Sequence, residues 1–349
     1  MNIAVITGDP RKPDPRRIEG KYNSDDHEDL RHLHLALAEL EARRGYKVRY
    51  LDNHDTLLND LQQLKAAHSI DLVVNFCDEG FANRNSTDVC IPALLEILQL
   101  PFTGSGSHTI SRTGDKNGVR GMLQALNVSI PRFHYVQPGD DTLALPFPFP
   151  ALVKPNSIGG SVGITADCVA HNAQQLQHAV AITRERFGAA VPVPVEEFLT
   201  GREFSMGMLG NPDDGYTVLP LLEVDFSVLP EGTQPLCGWE SKWDYNSEYA
   251  NLFGCAKQAH LEPAMMQQMT DDCVRMARHL GIHDYLRVDW RLDVDGQPRM
   301  LDVNPNSSWC WNTFMAEMAE WDGIFYADLL DLILRAALKR YKLLPANGS

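Results

Sequence analysis

One stretch of alternating residues holds the groups best suited to bind a cation. From Leu286 to Asn304 apolar and polar side chains alternate around Asp295-Gly296, a strong hairpin-turn pair. A two-residue turn there pairs Val294 with Gln297. Counting back in step sets Asp289 opposite Asp302 and Arg287 opposite Asn304, all on one face. Leu286, Val288, Trp290, Leu292, Leu301 and Val303 then share the other face, which is expected to be buried. Directly opposed aspartates repel by a few tenths to about 1 kcal/mol unless a cation lies between them. Two carboxylates and an amide oxygen suit Mg²⁺, an ion that commonly arrives with phosphates. The plainer alternative is a half-exposed hairpin with solvated polar positions, and a bulge would shift the pairing.

A second candidate runs from Lys154 to Gly163. Gly159, Gly160 and Gly163 let backbone N–H groups approach a phosphate, and Lys154 adds a charge beside them. The Gly-Lys-Ser/Thr ending of a P-loop is missing. The run Gly159-Gly160-Ser161-Val162-Gly163 also fits G-x-S-x-G, which makes a serine hydrolase with Ser161 as nucleophile the competing interpretation. That elbow needs a strand, a tight turn and an immediate helix, whereas Val162 to Thr165 is β-prone and a helix is expected only from about residue 172. A third candidate, Val193 to Glu203, brings Glu196 or Glu197 within reach of an adenine edge and Glu203 within reach of a ribose; surface glutamates would look much the same.

Elements that could position these groups follow from periodicity. Strands are expected at Ile3–Thr7, Val48–Leu51 and Ile70–Phe76, with helices near Leu30–Leu40 and Val89–Gln99, which together suggest a parallel α/β unit. A helix near Lys116–Leu126 and Pro-rich text from Pro138 to Pro150 follow. Short strands at Ala151–Lys154 and Val162–Thr165 and a helix near Asn172–Phe187 then suggest an α+β module. Strands at Val193–Phe198, Glu203–Leu209 and Thr217–Val224 and helices near Pro263–Leu280 and Tyr326–Tyr341 complete the chain. The expected division is 1–110, 111–195 and 196–349.

Composition narrows the classes. The 349 residues suggest two or three domains, and 44% hydrophobic with 22% charged residues is ordinary for a globular protein. A net charge of −15 disfavours nucleic acid as a partner but permits a single nucleotide with metal ions. No apolar run is long enough for a membrane helix and the N-terminal run lacks a basic lead, so a soluble protein is expected. Seven cysteines without a CxxC pair read as reduced thiols, and hence as a cytoplasmic protein.

Taken in order, Lys154 with its glycine loop, Glu196-Glu197-Phe198, Gly201-Arg202-Glu203, Arg287-Val288-Asp289 and Asp302-Val303-Asn304 resemble an ATP-grasp ligase, most nearly the D-alanine:D-alanine ligase family. Gly104, Asp115-Lys116 and Glu240-Ser241-Lys242-Trp243 extend the resemblance over most of the chain. It implies an ATP-grasp fold, α/β and α+β, with a Rossmann-like N-terminal domain. The activity it implies is ATP-dependent amide-bond formation between amino-acid-like small molecules through an acyl phosphate. Lys116 and Lys154 would contact phosphates, and Lys242 would close over them. Glu196, Glu197, Phe198 and Leu199 would hold adenine, and Glu203 the ribose. Two Mg²⁺ ions, with Mn²⁺ as a substitute, would sit on Asp289, Asp302 and Asn304. Arg287 would face the transferred phosphoryl group, with Gly160 and Ser161 in the covering loop. A homodimer is compatible with the family, and a nucleotide-binding protein without catalysis is the remaining alternative.

Departures from the family pattern point to a different acceptor. Asp302 stands where Glu is usual, Arg120 where a second Lys is common and Trp243 where Tyr is usual. Asp26-His27-Glu28 only loosely matches the family's Glu-x-Glu, and Asp9 to Lys21 reads as an insertion. Pro305 to Trp311 replaces a Pro-Gly-Met-Thr stretch, so Trp309 and Trp311 are expected to add bulk at the acceptor site and to disfavour D-alanine.

Overall fold

The computed structural model describes residues 1–14, 20, 24–84, 87–140, 143–156, 161–188, 190, 192–244, 246–250 and 252–344. At the N-terminus, β1 (Asn2–Ile6), α1 (Ser24–Arg44), β2 (Lys47–Leu51), α2 (Leu57–Ala66) and β3 (Leu72–Asn75) form a parallel sheet in the order β2-β1-β3. Alternate residues of β1 bury opposite ways, as a strand's period of two requires. Ile3 and Val5 pack with Leu33, Leu37 and Leu40 of α1. Ala4 and Ile6 pack with Leu57 and Leu61 of α2 and Leu95 of α3 (Cys90–Ile97). Phe102 adds a parallel bridge to Val73 before α4 (Ser107–Gly114).

Next come α5 (Lys116–Ala125), β4 (Phe133–Val136), β5 (Ala151–Val153), β6 (Val169–Ala170), α6 (Ala173–Phe187) and β7 (Val193–Glu197). The Asp115 side chain caps α5 by accepting from Asn117 N, and Asn172 caps α6 by accepting from Gln175 N. The strands lie antiparallel in the order β4-β7-β5-β6 beneath α6, whose Leu176, Ala179 and Val180 meet Val153 and Val195. The strand expected at Val162–Thr165 is absent. Ser161–Gly163 is a turn instead, with Ser161 and Gly163 at positive φ, and a Cβ on Gly163 would run into the Phe187 ring.

The remainder comprises β8 (Glu203–Asn211), β9 (Gly215–Val218), β10 (Leu222–Val224), α7 (Glu240–Trp243), β11 (Ala256–Gln258), α8 (Pro263–Leu280), β12 (Asp284–Leu292), β13 (Pro298–Asn304), α9 (Phe314–Trp321) and α10 (Tyr326–Arg340). The sheet runs β11-β10-β8-β12-β13, with β9 also on β8. One strand was expected over Thr217–Val224; Pro220, which lacks an N–H, separates two. Phe204, Met206, Met208, Leu286, Val288 and Trp290 bury one face against Cys273 and Met276 of α8. The opposite face carries Ser205, Arg287, Asp289 and Arg291.

The hairpin reaches the expected opposition by an unexpected route. Leu292 pairs with Pro298, Arg291 with Arg299 and Trp290 with Met300, one residue out of step with a two-residue turn. Asp293 makes the difference: its Oδ1 accepts from Asp295 N and Gln297 N, which builds a longer loop and leaves Val294 86% exposed. A bulge after Trp290 then inserts one residue on β13 and restores Asp289 opposite Asp302 and Arg287 opposite Asn304. Because of it, Met300 occupies the core while Leu301, expected there, lines the polar side.

Candidate active site

The three sheets enclose one cavity of about 890 Å³, within the range of a small-molecule site. Thr7 and Gly8 beyond β1, and Phe76 to Glu79 beyond β3, reach it from the carboxyl ends of the parallel strands. Lys154 and Glu196 enter from the four-stranded sheet, and Glu203, Arg287, Asp289, Asp302 and Asn304 from the larger one.

Lys154 is only 8% exposed. Its Nζ lies 2.7 Å from Glu196 Oε2, and Arg120 Nη2 pairs with the other Glu196 oxygen. Glu196, 2% exposed, is therefore the counter-ion of two cations, and its carboxylate is not available to read an adenine edge. Burial first, then the Arg120 charge, pushes the Lys154 ammonium pKa down to about 7. Glu197 is also committed: its carboxylate takes a two-pronged contact from Arg132 at 2.6 and 2.8 Å, and its N–H donates to Arg132 O. Phe198 N–H donates to Pro150 O. Phe198 and Leu199 line the cavity, as does Glu203, whose Oε2 lies 3.1 Å from Arg291 Nη1. Burial raises the Glu203 carboxyl pKa.

On the hairpin the expected bare repulsion does not arise. Asp289 Oδ1 accepts from Arg287 Nε at 2.9 Å and Ser205 Oγ at 2.6 Å. Its Oδ2 accepts from Arg287 Nη2 and Asn304 Nδ2, each at 3.0 Å. Burial would raise the Asp289 pKa, but the Arg287 charge and these bonds leave it below the usual carboxylate range. Asp302 Oδ2 lies 3.6 Å from Lys116 Nζ. Among the described residues no three His, Cys, Asp or Glu side chains gather as a metal cluster. Two carboxylates and one amide oxygen nevertheless fit Mg²⁺, which commonly takes one or two carboxylates and completes its shell with water and phosphate oxygens.

Lys242, on α7, donates from Nζ to Ser161 Oγ at 2.9 Å. Gly160 lies outside the described residues. Ser161 does not sit on a nucleophile elbow: a turn and a short 3₁₀ segment follow it, and α6 begins only at Ala173. The expected tryptophan bulk is likewise turned away from the cavity. Trp309 is 3% exposed, its ring 5.2 Å from Phe76 and 5.5 Å from Tyr285. Trp311 stacks on His32 at 4.0 Å and donates Nε1–H to Asp29. Ser307, Ser308 and Cys310 face the space instead.

Sequence patterning missed Arg291 and Ser205. Arg291 shares the alternating face of Arg287 and Asp289, a signal that was available. Ser205 becomes Asp289's partner only through β8–β12 pairing.

Comparison with known proteins places this architecture. The family profile described as D-ala D-ala ligase C-terminus matches residues 124–335. The Sinorhizobium fredii protein designated "Uncharacterized protein y4sG" is 31% identical over 251 residues, 72% of this chain and 70% of that one. The D-alanine–D-alanine ligase of Desulfotalea psychrophila is 26% identical over 301 residues, 85% of this chain and 87% of that one. The crystal structure of D-alanine–D-alanine ligase from Bacillus anthracis complexed with ATP superposes with a TM-score of 0.68 at 19% identity, covering 98% of this chain and 99% of that one. No helix among the described residues is long and apolar enough to cross a membrane. The profile spans both the four-stranded sheet and the larger one, and the fold agrees from end to end: the chain belongs to the D-alanine–D-alanine ligase family of ATP-grasp proteins.

Proposed function

We propose that the protein is a cytoplasmic ATP-dependent ligase that joins the carboxylate of one amino-acid-like substrate to the amine of another through an acyl phosphate. One observation carries this: Asp289 and Asp302 are opposed, with Asn304 and Arg287 beside them, in the same cavity as Lys116, Lys154 and Lys242. Relatives named as D-alanine–D-alanine ligases and the related enzyme solved with ATP support the reaction class. The proposed lobes are 1–110, 111–197 and 198–349, the second boundary moved past the end of β7.

Lys116, Lys154 and Lys242 hold the nucleotide phosphates in this proposal, with Ser161 beside Lys242 and Gly160 assigned to the same phosphate contacts from its place in the sequence. Phe198 and Leu199 contact adenine, and Glu203 the ribose. Asp289, Asp302 and Asn304 would hold two Mg²⁺ ions, which when bound supply positive charge to the phosphate oxygens. Arg287 exchanges its Asp289 fork for the oxygens of the group in transfer. Positioning and charge stabilisation account for the catalysis, since phosphoryl transfer asks little covalent chemistry of the protein. Enclosure by three lobes keeps water from the activated carboxylate.

The acceptor is proposed to be larger and more polar than D-alanine. The support is the small, polar wall of Asn306, Ser307 and Ser308, not tryptophan bulk. The test measures Mg²⁺-dependent ADP release against D-alanine and the common L-amino acids. No release with any of them defeats the ligase, and D-alanine as the best acceptor defeats the proposed acceptor.

A further inference from the structure

We propose that Arg340, the last residue of α10, positions the loop that shapes the second-substrate end of the cavity. This rests on the ligase function above. Arg340 does not line the cavity; it acts through a carboxylate and a backbone turn. Its Nε donates to Asp284 Oδ1 at 3.1 Å and its Nη2 to Asp284 Oδ2 at 2.7 Å. The same Nη2 reaches Phe102 O at 2.8 Å and Gly104 O at 3.3 Å. Asp284, with no solvent exposure, also accepts from Gly104 N at 2.8 Å. One buried ion pair thus joins the C-terminal helix, the first residue of β12 and the loop that leaves the N-terminal sheet.

Asp284 has φ of +69°, a conformation that a non-glycine residue holds only when its surroundings over-determine it. Here the surroundings are Arg340 and Gly104 on the side chain and Asn211 Oδ1, which accepts from Asp284 N at 3.2 Å.

The loop so held grips the segment after β13. Ser105 N donates to Asn306 Oδ1 at 3.0 Å, and Ser105 Oγ to Pro305 O at 3.4 Å. Gly104 has φ of +85°, and a Cβ there would lie 2.7 Å from Asn306 Oδ1 and 3.2 Å from the Tyr285 hydroxyl. Asn306 and Ser307 both line the cavity, immediately beyond Asn304. Ser307 is 6% exposed, and its Oγ has no hydrogen-bond partner among the described residues. A buried hydroxyl without a partner is costly, and at a cavity wall a polar ligand group can satisfy it. Arg340 therefore sets where Asn306 and Ser307 meet the amino-acid substrate, while the nucleotide side rests on other elements.

The experiment titrates ADP release against ATP, and separately against the best substrate among D-alanine and the twenty common L-amino acids, for wild type, Arg340→Lys and Gly104→Ala. Arg340→Lys keeps the charge and loses the planar fork. It is expected to raise the amino-acid KM about tenfold and to leave the ATP KM within about twofold, because a displaced binding loop weakens one substrate selectively. Gly104→Ala displaces Asn306 while leaving the Arg340 and Asp284 side chains themselves unchanged and should reproduce that selective rise, which guards against an Arg340 variant that simply folds poorly. Equal shifts of both KM values in Gly104→Ala, or unchanged values in a folded Arg340→Lys, overturn the proposal. Absence of ADP release by wild type with every amino acid overturns the ligase function and this proposal with it.

Discussion

Two ion-pair clusters flank the cavity and bury their charges to different degrees. On the four-stranded sheet, the Glu196 side chain is 2% exposed between Lys154 at 10% and Arg120 at 7%. On the larger sheet, Asp289 is 21% exposed and Asp302 41% exposed, with Arg287 and Lys116 as their partners. Loss of one partner from a buried pair strands an uncompensated charge, whereas a pair facing open space can trade its partner for a ligand. The first cluster is therefore a framework that aims Lys154. The second is a self-neutralised socket, and under the proposed function its Arg287–Asp289 fork would open when a metal and phosphate arrive.

Lys154→Ala should break this contrast most severely. Loss of a charge-assisted contact to a phosphoryl group should cut ADP formation by about 10² to 10³-fold. Melting should also fall, because Glu196 is left with Arg120 alone of the two cations that balance it here. Turnover within about tenfold of wild type, about 1.4 kcal/mol, would remove Lys154 from the phosphate site.

Asp302→Asn tests the socket. ADP formation at saturating Mg²⁺ should drop by about 10²-fold if the carboxylate holds metal. The melting temperature should stay nearly constant, because a partly exposed pair with Lys116 contributes only about 0 to 1 kcal/mol. Normal turnover would return this hairpin to an ordinary polar surface.

The framework should also reveal itself through pH. With its pKa near 7, Lys154 carries its charge below that value and loses it as pH rises through it. The ATP KM is accordingly expected to rise above pH 7, by up to about tenfold per unit if this lysine alone governs binding. Lys154→Arg, whose guanidinium stays charged, should flatten the profile. A wild-type ATP KM that is constant from pH 6 to 8.5, roughly the window around that pKa, would contradict this assignment.

Trp311→Ala should give the smallest effect. The ring stacks on His32 away from the cavity, so stability should fall by about 1 kcal/mol, while the ranking of acceptors stays unchanged. Ser308→Trp, by contrast, places bulk on the lining and should change that ranking. A new acceptor preference in Trp311→Ala would restore the bulk explanation.

Local chemistry in the sequence identified the hairpin, the alternating face of Arg287 and Asp289, and the helices near 116–126, 172–187, 263–280 and 326–341. These signals depend on residues a few positions apart, and side-chain periods of 2 and 3.6 hold wherever an element lies. The opposition of Asp289 and Asp302 was legible too, although for an incomplete reason. Asp293 lengthened the loop by one register step, and a bulge at Leu301 took that step back.

Contacts between distant segments decided the rest. Lys154 stands beside a glycine loop in sequence, yet Glu196 and Arg120 bury it. Trp309 follows the hairpin, yet packs on Phe76 from β3's end. The desolvation that lowers the Lys154 pKa exists only once these distant segments are packed together. Residue types determined which chemistry was available to this protein. The tertiary structure decided which charges are framework and which face the open cavity, because burial and ion pairing belong to neighbours that chain order does not reveal.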